Sequence, residues 1–274
     1  MASRRHISTE TVASETGNRY SVCMIIACWN GKGGCGKTTT AVGLAGELAG
    51  GGTSVLLVDL DPQANATTWL LGSVPDGPGI LDALTGVSSL SEATYAVPGA
   101  ERLTMAPASP RLARIAVELE DNPAPQLAIR QLLARAAASA EVIVLDCPPA
   151  FGELPVMALT AATDHVVPLR AAALDLAAAQ DSLRRAETVR SHLNPDLRLA
   201  GFVLCAFDAR TTVASATEAT LHAAYPDIPV VRVPSAVVVT MAPGAHQLLG
   251  EYAPLSPAAV AQRGMVAALA GGSR

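Results

Sequence analysis

The run Gly31-Lys32-Gly33-Gly34-Cys35-Gly36-Lys37-Thr38-Thr39 carries the most specific chemistry in this chain. Its spacing satisfies G-x-x-x-x-G-K-[ST], a loop that cradles phosphate groups. Glycines let backbone N–H groups turn inward and approach phosphate oxygens with no Cβ in the way. Lys37 would supply a point charge for β- and γ-phosphates, and the Thr38 hydroxyl can take a place on Mg²⁺. Gly33, Gly34, Cys35, Gly36, Lys37, Thr38 and Thr39 are therefore the candidate nucleotide-binding residues. Such a loop works only between a strand and a helix whose N-terminus adds its own positive field.

Carboxylates are the second requirement. An apolar run, Thr53 to Asp59, ends in Asp59-Leu60-Asp61-Pro62, and Pro62 stops its extension. A second apolar run, Glu141 to Asp146, also ends in an aspartate. Strand C-termini of an open parallel sheet face the ligand crevice, which brings all three aspartates toward the phosphates. Asp146 is placed to lie near Mg²⁺.

Of the 19 basic residues only Lys32 and Lys37 are lysine, and both lie in the loop. Elsewhere the chain uses arginine, so a compact ammonium is wanted at these two positions. The phosphate loop explains Lys37. It does not explain Lys32, which points either away from its own phosphates or toward a second protomer.

With two lysines in that arrangement, the loop resembles the K-G-G-x-G-K-T signature of the ParA/MinD family, the ATPases with a deviant Walker A loop. Asp59-Leu60-Asp61-Pro62-Gln63-Ala64-Asn65-Ala66-Thr67 is similar to that family's V-D-x-D-P-Q-x-N-A-T, Asp146-Cys147-Pro148-Pro149 matches its D-C-P-P, and Phe207-Asp208-Ala209-Arg210-Thr211 resembles its F-D-A-R-T turn. The resemblance covers about residues 22–270 and implies a P-loop NTPase fold, ATP and Mg²⁺ as cofactors, and hydrolysis of ATP to ADP and phosphate. It implies catalytic roles for Lys32, Lys37 and Asp61: Lys32 crosses to the partner's ATP in a sandwich homodimer, and Asp61 orients the attacking water. It makes Thr38, Asp59 and Asp146 the magnesium set and lays Pro234 against the adenine. The partners implied are a second copy of the chain, a ParB-like or other cargo adaptor protein, and non-specific DNA.

The chain departs from the family in two places. The residue before the signature lysine, often glutamine in the family, is Gly31. Where partition proteins carry P-R-N-V-R-L-S-E-A-P, this chain has Pro234-Ser235-Ala236-Val237-Val238-Val239-Thr240-Met241-Ala242-Pro243. The prolines stay and the DNA-gripping arginines do not. Arg184, Arg185, Arg190, Arg210, Arg232 and Arg263 are the candidate replacements, each weighed against an ordinary solvated surface arginine.

The elements that must position these residues follow from apolar patterning. Met24–Trp29 reads as the strand before the loop and Ala41–Ala49 as the helix after it. Further strands are expected at 103–107, 166–169, 199–205 and 230–234. Helices are expected at 80–84, 110–118, 125–138, 175–193, 212–225 and 257–269, the last capped by Ser256. The alternation implies one α/β domain over 22–274, a doubly wound and mostly parallel sheet with helices on both faces. Residues 1–21 read as a polar, flexible tail; a basic arm touching nucleic acid and a translation start at Met24 are the alternatives.

Composition sets bounds. Half of the 274 residues are hydrophobic and only 3% aromatic, so the core must be built of Ala, Val and Leu. Net charge is −5; residues 1–170 carry 11 basic and 16 acidic groups and residues 171–274 carry 8 of each, so DNA binding by a monomer should be weak. The five cysteines form no C-x-x-C pair and suggest a reducing cytoplasm. No apolar run approaches the ~18 residues of a membrane span. The leading reading is thus a cytoplasmic, nucleoid-associated ATPase that partitions plasmid or chromosome DNA. The alternatives are a positioning ATPase for a non-DNA cargo, a MinD-like membrane-cycling regulator, an iron–sulfur reductase and a metabolite kinase.

Overall fold

The computed structural model describes residues 24–136 and 140–271. The 1–21 segment therefore lies outside the described residues. Among the described residues eight strands form one sheet, in the order β3-β4-β2-β5-β1-β6-β7-β8. They are β1 (Met24–Cys28), β2 (Val55–Asp59), β3 (Tyr95–Ala96), β4 (Leu103–Ala106), β5 (Val142–Asp146), β6 (Asp164–Arg170), β7 (Arg198–Phe207) and β8 (Val230–Pro234). All neighbours pair in parallel except β3 with β4.

The connections supply α1 (Lys37–Gly50), α2 (Asn65–Leu71), α3 (Ile80–Leu84), α4 (Ile115–Glu118), α5 (Ala128–Ala136), α6 (Glu153–Ala161), α7 (Ala173–His192), α8 (Thr212–Ala224), α9 (Val237–Met241), α10 (Leu249–Tyr252) and α11 (Pro257–Gly271). Side chains of a strand alternate between faces, and the core divides accordingly. Ala27, Leu56, Val58, Ile143 and Leu145 pack on one face with α5, α6 and α7. Ile26, Cys28, Leu57, Val144 and Val166 pack on the other with α1 and α11. Central strands buried on both faces read as unbroken aliphatic runs for this reason.

The aromatic-poor composition is matched by close backbone approach. A Cβ on Gly46 of α1 would stand 2.8 Å from Leu248, so glycine lets the segment before α10 settle against the helix.

Several boundaries differ from expectation. The helix expected at 110–118 is divided into a 3-10 turn, Pro110–Arg114, and α4. The helix expected at 125–138 begins as a 3-10 turn at Pro125–Leu127 and becomes α5 only at Ala128. Proline fixes φ but cannot supply an N–H, and here each proline opens a tight turn rather than an α-helix. Helices α2 and α6, and the short α9 and α10, are not among those expected. In α6 Leu154, Met157, Ala158, Leu159 and Ala161 are all buried, so no polar face gives it a period. Helix α2 hides in a polar motif. Ser256 does cap α11: its Oγ accepts from Ala259 N at 3.2 Å.

The strand order reverses beside β1. The chain adds β2 and β5 on one side of it and β6 on the other, which opens a crevice at the carboxyl ends of β1, β5 and β6.

Candidate nucleotide site

The phosphate loop leaves β1 in that crevice. Gly34 and Gly36 hold φ of 69° and 97°, a region that L side chains rarely adopt. Gly36 is doubly constrained, since a Cβ there would stand 2.5 Å from Cys205 Sγ. Helix α1 begins at once with Lys37, has no side-chain cap and no acid in its first turn. Its first N–H groups stay open, and nothing negative competes for them. The Lys37 ammonium is almost wholly buried and donates to the Lys32 carbonyl at 2.8 Å, holding the loop closed around itself.

The mouth of the loop is braced from α7. Ser182 Oγ accepts from Gly31 N at 2.9 Å, and Asn30 Oδ1 accepts from Lys32 N at 3.1 Å. The Lys32 ammonium turns away from Lys37 and meets Asp175 Oδ2 at 2.6 Å. Asn30, Asp175 and Ser182 were not singled out from the sequence. Asp175 and Ser182 lie up to about 150 residues from the loop, and only the β6–α7 crossover brings them to it.

The carboxylates differ sharply in how they are held. β2 and β5 are in register with Asp59 opposite Asp146. Both Asp59 oxygens are occupied: Oδ2 accepts from Thr67 N at 2.9 Å and Thr67 Oγ1 at 2.8 Å, and Oδ1 from Asp61 N at 3.0 Å. Burial still pushes the Asp59 carboxyl up to about 6, against those hydrogen bonds. Asp61 is nearly buried, and its Oδ1 accepts from Gln63 N at 2.9 Å. Ala64 closes this turn at φ 53°, the left-handed conformation on a residue that is not glycine.

Asp146 is fully buried and neither of its oxygens has a hydrogen-bond partner. Burial, then the Asp59 charge, raises its carboxyl well above the usual range. The Thr38 hydroxyl and Lys37 lie near enough to favour the charged form, without closing a hydrogen bond to it. A buried unpaired carboxylate beside a second one wants a cation. No group of three or more His, Cys, Asp or Glu converges among the described residues. Mg²⁺ needs none, because it is usually held by one or two carboxylates, waters and substrate phosphates. Thr38 and Asp146 fit that set directly, and Asp59 fits it as the buried neighbour locked by Thr67.

On the other side of the loop an open cleft of about 320 Å³ is walled by Gly36, Thr40, Cys205, Val233, Pro234 and Met265, among others. Pro234 ends β8 at its rim, so the sequence-expected adenine neighbour does line a cavity continuous with the loop. Ala206 stands there at φ 51°, a second left-handed alanine beside the site.

None of the six candidate DNA-binding arginines is among the residues that wall this cleft, and each already has a protein partner. Arg184 and Arg185 both pair with Asp181, Arg190 with Glu187, Arg210 with Asp208 and Arg232 with Glu218. Arg263 donates to the Pro254 carbonyl at 2.7 Å.

Taken together, a strand–glycine loop–helix unit with an enclosed lysine, a hydroxyl and an open aspartate on the next strand defines a nucleoside-triphosphate-hydrolysing machine of the phosphate-loop class. A family model described as an AAA domain matches residues 23–199. The chain is 39% identical to the chromosome-partitioning ATPase Soj of Thermus thermophilus over 239 residues, 87% of this chain and 92% of that protein. It is 36% identical to the chromosome partitioning protein ParA of Myxococcus xanthus, over 71% of this chain and 69% of that one. Among solved structures it is similar to cobyrinic acid a,c-diamide synthase from Mycobacterium smegmatis with bound ATP analog and magnesium, at TM-score 0.78 and 32% identity, covering 90% of this chain and 93% of that one. The chain belongs to the ParA/MinD family of P-loop ATPases, and its activity is that of an ATPase.

Proposed function

We propose that this chain is a DNA-partitioning ATPase: it binds Mg-ATP, closes with a second copy into a sandwich homodimer, and hydrolyses ATP when a cargo-bound adaptor engages it. The observation that carries the reading is the division of labour between the chain's two lysines. Lys37 is turned inward and enclosed, whereas Lys32 is turned outward at the loop mouth with 35% of its side chain exposed. One lysine serves the subunit's own phosphates, and the other is available to a partner's. The open oxygens of Asp146 support Mg²⁺, which would neutralise charge developing between the β- and γ-phosphates. The names of the Thermus and Myxococcus relatives support the chromosome as the cargo, and hence a cytoplasmic protein at the nucleoid. No described helix is long and apolar enough to cross a membrane.

A second reading, positioning of a non-DNA cargo, is favoured by one observation: five of the six candidate arginines already carry an acidic partner. Size-exclusion chromatography with Mg-ATP or Mg-ADP, followed by duplex DNA retention across a salt series, separates these readings. Partitioning expects an ATP-dependent dimer whose DNA retention falls steeply with salt. A dimer that ignores DNA at low salt would favour the non-DNA cargo, and a chain that stays monomeric with Mg-ATP would overturn the sandwich.

A further inference from the structure

Arg170 is the last residue of β6 and belongs to none of the sequence motifs. β6 and β7 are in register with Arg170 opposite Cys205. Residues paired across parallel strands project from the same face, so the arginine leaves the sheet beside the cysteine. Cys205 Sγ lies under the loop, 3.6 Å from Thr40 Oγ1 and against Gly36. Arg170 accordingly borders two cavities at once. One is the cleft that runs from the loop to Pro234; the other, about 380 Å³, is walled by Lys32, Gly33, Gly34, Asp175 and Asp208.

The charges around it leave it unmatched. Asp175 is taken by Lys32 at 2.6 Å and Asp208 by Arg210 at 2.7 Å. Arg170 is exposed, and its guanidinium makes no hydrogen bond or ion pair among the described residues. A planar fork of five donors, rooted on a rigid strand next to a phosphate-cradling loop, suits a phosphate anion better than solvent alone. Its positive charge is felt at the Cys205 thiol, where it opposes the upward push of burial.

We propose that Arg170 is a nucleotide-binding residue acting within its own subunit, its guanidinium gripping the polyphosphate of the bound nucleotide between the loop glycines and the cleft that ends at Pro234. This deepens the ATPase reading and rests on it. The loop would then hold diphosphate with two cations from the same chain, Lys37 enclosed and Arg170 at the rim. The product should be retained correspondingly longer than Lys37 alone would achieve.

Calorimetric titration of Mg-ADP tests this, because a diphosphate contacts the subunit without the γ-phosphate that drives a sandwich. Arg170→Gln should weaken ADP binding by about tenfold, the scale of a single charge-assisted hydrogen bond, and Arg170→Lys should recover part of it. Melting temperatures without nucleotide should match wild type, since the side chain holds no other group. ADP affinity of Arg170→Gln within about twofold of wild type would overturn the proposal, being well short of the ~tenfold expected for such a bond. So would normal ADP binding with loss of ATP-dependent dimerisation, which would assign the guanidinium to the partner's nucleotide. A wild-type chain that binds no ADP would instead sink the ATPase reading itself, whatever the variant does.

Discussion

Lys32 Nζ lies 2.6 Å from Asp175 Oδ2, while Asp175 Oδ1 is buried with no partner. The lysine expected to reach a second subunit is thus held by its own α7. In the sandwich proposed above, closure would exchange this ion pair for one with the partner's phosphates. Lys32→Ala should leave ATP binding intact and remove ATP-dependent dimerisation and hydrolysis. Asp175→Asn should lower the protein concentration at which Mg-ATP produces a dimer, because the lysine is released. Analytical ultracentrifugation of both variants checks the pair; a Lys32→Ala chain that dimerises and turns over normally would refute the division of labour between the lysines.

Lys37→Ala removes the cation enclosed by the loop and the bond from Nζ to the Lys32 carbonyl that keeps it closed. Nucleotide affinity should fall by at least about a hundredfold, because a buried charge-assisted interaction and the loop's preorganisation go together. Fluorescent nucleotide titration reads this directly, and unchanged affinity would contradict it.

His165 supplies a pH dependence that is independent of catalysis. It is fully buried, and its Nε2 lies 3.0 Å from the Trp29 carbonyl. A carbonyl can only accept, so Nε2 carries the hydrogen. Burial lowers the ring to about 4 from 6.5. Between those values the unfolded chain binds the proton and the folded chain does not, so the histidine's contribution to stability falls as pH drops from 6.5 toward 4. The full effect is about 3 kcal/mol, at ~1.4 kcal/mol per pH unit. Burial raises Asp59 and Asp146, which take up protons in the folded chain over the same range and oppose the histidine, so the variant is the control. Going from about pH 7 to about pH 5, the unfolding free energy of wild type should shift further toward instability than that of His165→Gln, and equal shifts in both would exclude the histidine.

The parts of this site that were legible in the sequence are those written locally. Glycines at fixed offsets specify the loop, and aliphatic runs ending in aspartate specify β2 and β5. What was illegible depends on crossovers. Nothing near Lys32 points to Asp175, and nothing near Gly36 points to Cys205; the β6–α7 crossover and strand β7 deliver them. Helix α6 escaped because burial on every side erases periodicity. Thr67 was visible within a motif, but its function as the clamp on Asp59 needed the α2 helix that the polar residues concealed. The arginine candidates show the converse limit, since a set of cations in a sequence does not reveal that Asp181, Glu187, Asp208 and Glu218 are beside them.

Asp61 and Asp146 should separate cleanly. Asp61 accepts only from Gln63 N, at Oδ1, and Oδ2 has no protein partner among the described residues, so it can hold a water. Asp61→Ala should keep Mg-ATP binding and lose hydrolysis. Removing that charge also removes repulsion against the γ-phosphate, so the ATP-bound dimer should be long-lived. Asp146 differs because it is buried, unpaired and pushed toward its neutral form. Asp146→Ala removes an unsatisfied buried group, and the nucleotide-free protein should gain about 1–2 kcal/mol. The same change takes away the open oxygens offered to Mg²⁺, so the stabilisation that Mg-ATP gives wild type should disappear. Stability without ligand would rise while function is lost, as expected where a site keeps an unsatisfied buried carboxyl for its cation. Thermal melts with and without Mg-ATP, alongside size-exclusion chromatography, read both variants. A trapped dimer for Asp61→Ala and a more stable, Mg-ATP-indifferent monomer for Asp146→Ala is the expected pair. An Asp146→Ala chain that is less stable without nucleotide yet still responds to Mg-ATP would mean that Asp146 serves the fold and that another group holds the cation.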